Sequence, residues 1–354
     1  VLSWTNMKLP HAAIDRRQAL MRAAIVAISG ISLPPPLPAS AAYTVVPTGT
    51  IAEKAARLAE VNKQFDLKPE DPYVFGEKAQ LEYDIGALTK NKAFAAEIAA
   101  GRQTFCRGLR IGVPNLDEAV RFWTSGCGAL LLDSRMIDGH NVTTIGFGPQ
   151  SPRAEDGAKF ALELVEGAPT FFGDDSPLQY IQLAMPIFRL SQVVAYGGKI
   201  LSAYGWTEVI APGGLPLRVR IEETRRDPFE FIALRTSNLR AATKHYEEVL
   251  GMNTLSETSR KKFKLESINQ NTIFENSDAL EPEREAGSVL MTFGAAELTT
   301  GVLLLPPTKG RKALDPGFVP PTLLVVGAPA ASEAAPPPGF DGVQSAFMPH
   351  ADFL

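Results

Sequence analysis

The chain has 354 residues, with 35 Lys and Arg against 39 Asp and Glu and a formal charge of −4 at pH 7. A mildly acidic chain without a basic run lacks the clustered cations that nucleic-acid phosphates demand, so nucleic acid is excluded as a partner class. The two cysteines, Cys106 and Cys127, are far from Cys-x-x-Cys spacing and make no zinc or redox motif.

Residues 1–41 carry Arg16-Arg17, an apolar run from Ala19 to Leu33 interrupted by Arg22, then Pro34-Pro35-Pro36 and Ala39-Ser40-Ala41. A basic start, a short apolar middle and a small-x-small end are the parts of a cleaved export signal, and the arginine pair is twin-arginine-like. A short buried or anchoring helix is the alternative, but the triple proline would end it abruptly. The compartment this implies is the plastid thylakoid lumen, with a transit segment expected ahead of Val1; a bacterial periplasm is the alternative. Without the leader the charge falls to about −7. No later apolar stretch is long enough to cross a bilayer as a helix.

Residues 42–103 read as a helical extension. From Thr50 to Phe65, Ile51, Ala55, Leu58, Val61 and Phe65 fall in helical phase; Pro69 to Pro72 reads as a turn, and Lys78 to Gly101 is helix-like and Ala-rich. Either it is a packing arm or it docks the chain to a larger assembly.

A first module follows from Thr104 to about Thr170. Leu109 to Leu131, LRIGVPNLDEAVRFWTSGCGALL, reads as a strand, an Asn115 cap, a helix with Val120, Phe122 and Trp123 facing inward, and a stop at Gly126 and Gly128. Residues 129–136 and 141–147 form a hairpin around Asp138-Gly139, closed by a strand at 159–165. A second module has strands at 179–187, 199–210 and 216–222 and a short helix at 189–196. The third opens on Phe231 to Met252, FIALRTSNLRAATKHYEEVLGM: strand, Asn238 cap, a helix with Ala241, Ala242, His245, Tyr246, Val249 and Leu250 in phase, and a stop at Gly251. It ends with strands at 288–294 and 301–305, after a long charged insertion over 257–285. Thr322 to Val326 opens a shortened fourth, whose helix the Pro-rich residues 328–338 cannot form. Recurrence of strand, cap, helix and glycine stop argues for an internally repeated fold.

Val113-Pro114-Asn115-Leu116 with Phe122-Trp123, and Asn238-Leu239, Tyr246 and Leu250-Gly251-Met252, resemble the opening strand and helix of the βαβββ module of the vicinal oxygen chelate superfamily. That superfamily includes glyoxalase I, extradiol dioxygenases and bleomycin-resistance proteins. The resemblance runs from about residue 104 to the C-terminus. It implies an α+β fold of tandem repeated βαβββ modules behind the N-terminal helical extension. The division expected is a first glyoxalase-like domain of two modules at 104–228 and a second, degenerate one at 229–354. Pairing of modules has a physical reason, since one such sheet leaves an open edge and an apolar concave face.

In this family a metal is held inside the concave face by His, Glu or Gln from first and last strands, with positions left open for substrate. The first-strand position is Gly108, and its counterparts fall near Tyr180, Phe231 and Thr322, so no histidine stands at any of them. On the closing strands Glu163 and Glu222 are weak metal candidates, while the third module offers Leu303. Glu163 reads alternatively as outward-facing or paired with a nearby arginine. His140, His245 and His350 lie on separate elements and make no triad. No catalytic residue and no cofactor is therefore expected; a divalent metal enters only if the chain is an enzyme after all. Tyr180, Tyr204, Trp206, Phe231 and Phe293 could line an apolar pocket for a pigment, quinone or lipid fragment, or simply fill the core. Cys106 and Cys127 either pair in an oxidising lumen or stay buried as small core residues.

The expectation is a non-catalytic, glyoxalase-like pseudoenzyme docked on the lumenal side of a photosynthetic membrane complex, a photosystem with its antenna. Two alternatives stay open: a metal-dependent enzyme of glyoxalase or dioxygenase type, and a metal-free small-ligand binder similar to bleomycin-resistance proteins.

Overall fold

The computed structural model describes residues 50–348 apart from 70, 102–103, 152–153, 155–156, 168, 171, 174, 205, 222–226, 256–286, 295–297, 309–313, 316–318 and 327–339. The leader at 1–41, the whole insertion expected at 257–285 and the Pro-rich 328–338 thus lie outside the described residues.

Helix α1 spans Ile51–Leu67 and begins with a capping box: the Thr50 hydroxyl accepts from the Glu53 amide at 3.2 Å, and the Glu53 carboxylate accepts from the Thr50 amide at 2.7 Å. Helix α2, Pro72–Ala99, starts earlier than its apolar pattern suggests. Pro72 was expected in a turn but serves as the first helical residue, where its preset φ fits and its missing N–H is not needed. The two helices run antiparallel, joined by Lys54 Nζ to Asp84 at 2.6 Å, Arg57 Nε to Glu77 at 2.7 Å, and Phe65 against Phe75. Phe94 and Ile98, near the end of α2, join the main core.

Four modules follow. The first comprises β1 (Phe105–Val113), α3 (Leu116–Arg121, continued as a π-helical turn over Phe122–Gly126), β2 (Leu130–Ile137), β3 (His140–Gly146) and β4 (Ala161–Glu166). Asn115 caps α3 through a hydrogen bond from the Glu118 amide. Asp138 and Gly139, both at positive φ, make the two-residue β2–β3 turn. The second comprises β5 (Leu178–Met185), α4 (Arg189–Ala195), β6 (Lys199–Tyr204), β7 (Trp206–Ile210) and β8 (Pro216–Ile221). Here 199–210, expected as one strand, is a hairpin. The third comprises β9 (Phe229–Arg235), α5 (Leu239–Glu248, capped by Asn238), β10 (Asn253–Thr254), β11 (Val289–Thr292) and β12 (Gly301–Leu305). The fourth supplies β13 (Thr322–Val326) and a strand the sequence did not announce, β14 (Gln344–Met348).

The complete modules share one internal strand order, first strand beside last: β1-β4-β3-β2, β5-β8-β7-β6 and β9-β12-β11-β10. They join through their first strands, β1 with β13 and β5 with β9, both antiparallel. The six-stranded sheet therefore unites the first and fourth modules, and the eight-stranded sheet the second and third. Pairing was expected between the first two modules; instead both sheets draw strands from either side of residue 228. The need to cover an exposed edge calls for a partner without naming it, and β13, buried throughout, meets that need for β1.

One face of each sheet packs with the helices in a shared core. Phe229 of β9 is fully buried there, with ring centroids 5.8 Å from Trp123, 5.2 Å from Phe147 and 5.0 Å from Phe160, so the second sheet is keyed into the first module. The opposite faces carry the polar chemistry.

Candidate functional site: the sheet faces turned away from the helices

On the first sheet, period-two alternation sends Leu109, Ile111, Leu162 and Leu164 into the helix-side core. It leaves Arg110 and Glu163, direct partners in the parallel β1–β4 pair, on the other face. Arg110 gives Glu163 Oε2 its Nε at 2.9 Å and its Nη2 at 2.7 Å. Arg135 of β2 reaches Glu163 Oε1 at 2.6 Å and also holds Asp133. A third guanidinium arrives through a bulge: Cys106 pairs with Val325 and Gly108 with Leu324, so Arg107 is the extra residue, and its Nη2 lies 3.3 Å from Glu163 Oε1.

Burial by itself would push the Glu163 carboxyl up. The hydrogen bond and charge of Arg110, the charge of Arg107 and the hydrogen bond from Arg135 outweigh it and hold the group below its usual range. Burial dominates at Arg107 and lowers it, against the attraction of Glu163. Beside this carboxylate, a Cβ built on Gly108 would lie 2.5 Å from the Ala161 carbonyl oxygen. No side chain fits there unless β4 moves.

On the second sheet Gln182 of β5 pairs with Arg218 of β8, the same register in which Arg110 meets Glu163. A guanidinium thus stands where the first module has its carboxylate; Glu222, the carboxylate expected in that role, lies outside the described residues. Arg218, only 2 % exposed, donates to Tyr180 Oη at 3.0 Å and to Glu208 at 3.1 Å, and its guanidinium carbon sits 4.2 Å from the Tyr180 ring centre. Glu230 is the extra residue of a bulge in β9, accepting from Gln182 Nε2 at 2.8 Å and Arg220 Nε at 3.0 Å. Alongside this network Tyr180, Phe231, Ala233, Leu290, Leu303 and Leu305 form a separate buried apolar cluster.

Of the five aromatic candidates, then, Tyr180 and Phe231 do come together, at 6.1 Å between ring centroids, but as packed core. Phe293 belongs to the helix-side core instead, because the strand's alternation turns it to the other face. The strands carrying Tyr204 and Trp206 are described, but their side chains are not. His140 is exposed at the start of β3, its Nδ1 3.2 Å from the Glu166 carbonyl; His245 is half-buried between Tyr246 and Phe340, where burial lowers its pKa; His350 lies outside the described residues. Cys106 and Cys127 are buried free thiols, not a disulfide. Sequence reasoning missed the arginines. Their signal was charge in otherwise apolar strands, CRGLR at 106–110 and LRVRI at 217–221.

No protein-family model matches the sequence, and no curated protein matches it. Among solved structures, a glyoxalase I variant from Zea mays superposes with a TM-score of 0.51 at 17 % identity, covering 72 % of this chain and 98 % of that one. The chain has the vicinal oxygen chelate fold. Zea mays glyoxalase I in another structure matches with a TM-score of 0.46 at 17 % identity over 63 % and 74 % of the two chains. A fosfomycin resistance protein from Listeria monocytogenes matches at 0.25 and 9 % identity over 32 % and 87 %.

A vicinal oxygen chelate fold offers its metal seat on first and last strands of paired modules, and the residues in those places do not fit a metal. Gly108 has no donor and no room for one. Both Glu163 oxygens are taken by guanidiniums, whose positive charges oppose a dication. In the paired second and third modules the corresponding side chains are Tyr180, Arg218, Phe231 and Leu303. Among the described residues, no group of three or more His, Cys, Asp or Glu is arranged to hold a metal ion.

Proposed function

We propose that this chain is a non-catalytic protein of vicinal oxygen chelate fold that acts through its surface, as a docking subunit. The observation that carries this is Glu163. The carboxylate placed to grip a metal is instead gripped by Arg107, Arg110 and Arg135, an internal ion cluster in the position of a cation. Such a cluster stabilises the sheet without presenting an open coordination position, which metal-assisted chemistry requires. The docking element we assign is the α1–α2 hairpin, whose bend exposes Leu67 and Phe75, 82 % and 60 % accessible. The partner is a photosynthetic membrane complex on its lumenal side, an assignment that rests on the twin-arginine-like leader.

Two measurements test the reading. After mild chelation the purified protein should retain well below one equivalent of metal; stoichiometric zinc, nickel or iron would overturn the non-catalytic assignment. The protein should co-migrate with a solubilised photosynthetic complex and lose that association when residues 42–103 are deleted. Migration only as a free protein refutes the docking assignment.

A further inference from the structure

Strand β2 ends the six-stranded sheet, with β3 as its one strand partner among the described residues. An edge strand exposes a row of backbone donors and acceptors, which natural proteins blunt with lysine, proline or a bulge. β2 reads LLLDSRMI, without lysine or proline, and its one bulge, at Leu132, leaves Asp133 to Ile137 in regular pairing. Leu130, Leu131 and Met136 are 52 %, 55 % and 71 % exposed on it. The equivalent edge of the other sheet, β6, has one exposed large apolar residue among those described, Leu201, and its KILSAY offers Lys199 no acidic counterpart.

The backbone direction of each β2 residue follows from the turn. Ile137 and His140 flank the two-residue Asp138-Gly139 turn as its hydrogen-bonded closing pair, so Arg135 and Asp133 also direct their backbone groups at β3. Ser134 and Met136 direct theirs outward. A second β2 laid antiparallel, with a two-fold axis at Ser134, exchanges both Ser134 backbone bonds with its copy. In the adjoining non-hydrogen-bonded pairs, where side chains come closest, Asp133 of each copy faces Arg135 of the other. Beyond them Leu132 faces Met136 and Leu131 faces Ile137; the bulge shortens the regular ladder there, so these residues meet through side chains. The ion pair that Asp133 and Arg135 already form within each strand is laid head to tail against its copy, which asks no new donor of Arg135. Moving the axis by one residue, to Asp133 or to Arg135, sets like charges face to face. Of these three registers only the one centred on Ser134 is self-complementary. We propose that β2 is a self-association edge, through which two copies of this chain pair antiparallel about Ser134 and join their six-stranded sheets. The contact lies apart from the α1–α2 hairpin and does not rest on the docking assignment.

One strand edge buries less than a standard interface, so the dissociation constant expected is about 1–100 μM. Sedimentation equilibrium of the full chain across that range should show monomer and dimer. Ser134→Pro removes both bonds at the axis while sparing the ladder to β3, and Asp133→Lys sets a second cation against Arg135. Each should weaken dimerisation by about tenfold or more. Circular dichroism confirms that each variant is folded. Oxidation reads the register: Ser134→Cys should cross-link to its copy, whereas Met136→Cys, which faces Leu132 of the other copy, should not. Cys106 and Cys127 are buried and stay silent in this assay. The proposal is overturned if the chain is monomeric at about 100 μM. It is overturned equally if neither Ser134→Pro nor Asp133→Lys weakens association, if species larger than a dimer form, or if Met136→Cys cross-links as readily as Ser134→Cys.

Discussion

Replacing Glu163 by glutamine keeps the shape of the side chain and removes its charge, which separates a structural ion cluster from a disguised metal ligand. Three guanidiniums then lose their common partner, but unequally. Arg110 and Arg135 are about one-third exposed and can be re-solvated, so each contributes no more than a surface pair, about 0.5–1 kcal/mol. Arg107, with only 9 % of its side chain exposed, keeps most of its desolvation cost, at the low end of the roughly 3–5 kcal/mol for breaking a buried pair. Glutamine's remaining hydrogen bonds offset part of this. The expected loss is about 2–4 kcal/mol at pH 7, read by urea unfolding, or a fall in Tm of about 4–8 °C for a body of this size. The pH dependence fixes the sign. Glu163 is held below its unfolded pKa, so its contribution is complete above the ordinary carboxylate range and disappears as pH falls through the depressed folded value. The gap between wild type and Glu163→Gln should therefore narrow on acidification below about pH 4. A loss under about 0.5 kcal/mol at pH 7, or a gap that does not narrow in acid, would refute a structural role for the carboxylate.

Phe229→Ala empties the aromatic contact that keys the second sheet to Trp123, Phe147 and Phe160 and should cost about 3–5 kcal/mol, measured by the same unfolding assay; an effect below about 1 kcal/mol would mean the sheets are held together elsewhere. Both thiols should resist alkylation in the native state at pH 8 and react together only on unfolding, because burial pushes Cys106 up to about 12 and raises Cys127 further from its thiolate; a fast native reaction at either would contradict this packing.

How far the fold was legible depended on how local its causes are. The Asn115 and Asn238 caps, the Asp138-Gly139 turn and the apolar phase of α1 are short-range signals, and each produced its element close to where the residues put it. The hairpin at Lys199–Ile210 was missed, because strand-forming residues run on both sides of a single glycine in KILSAYGWTEVI and read as one strand until the pairing is known. Nor was β14, which follows a Pro-rich stretch and exists only because β13 offers it an edge. At the candidate site, Glu163 was visible as a polar residue within KFALELV, and its arginine pairing stood among the readings open for it. Which arginines, and that Arg107 turns inward through a bulge, depended on an irregularity in pairing with a strand more than two hundred residues away.

The sequence by itself thus determined the repeated strand-cap-helix unit and the lack of histidine at the first-strand positions, since both reside in side chains read one position at a time. The tertiary structure alone decided that the first module closes against the fourth and the second against the third. It also decided that Gly108 has no space for a donor and that, among the described residues, Arg218 and Glu230 are buried while Arg110 and Arg135 stay about one-third exposed. Those outcomes are set by long-range strand register and by which edges meet, and neither leaves a trace in local composition.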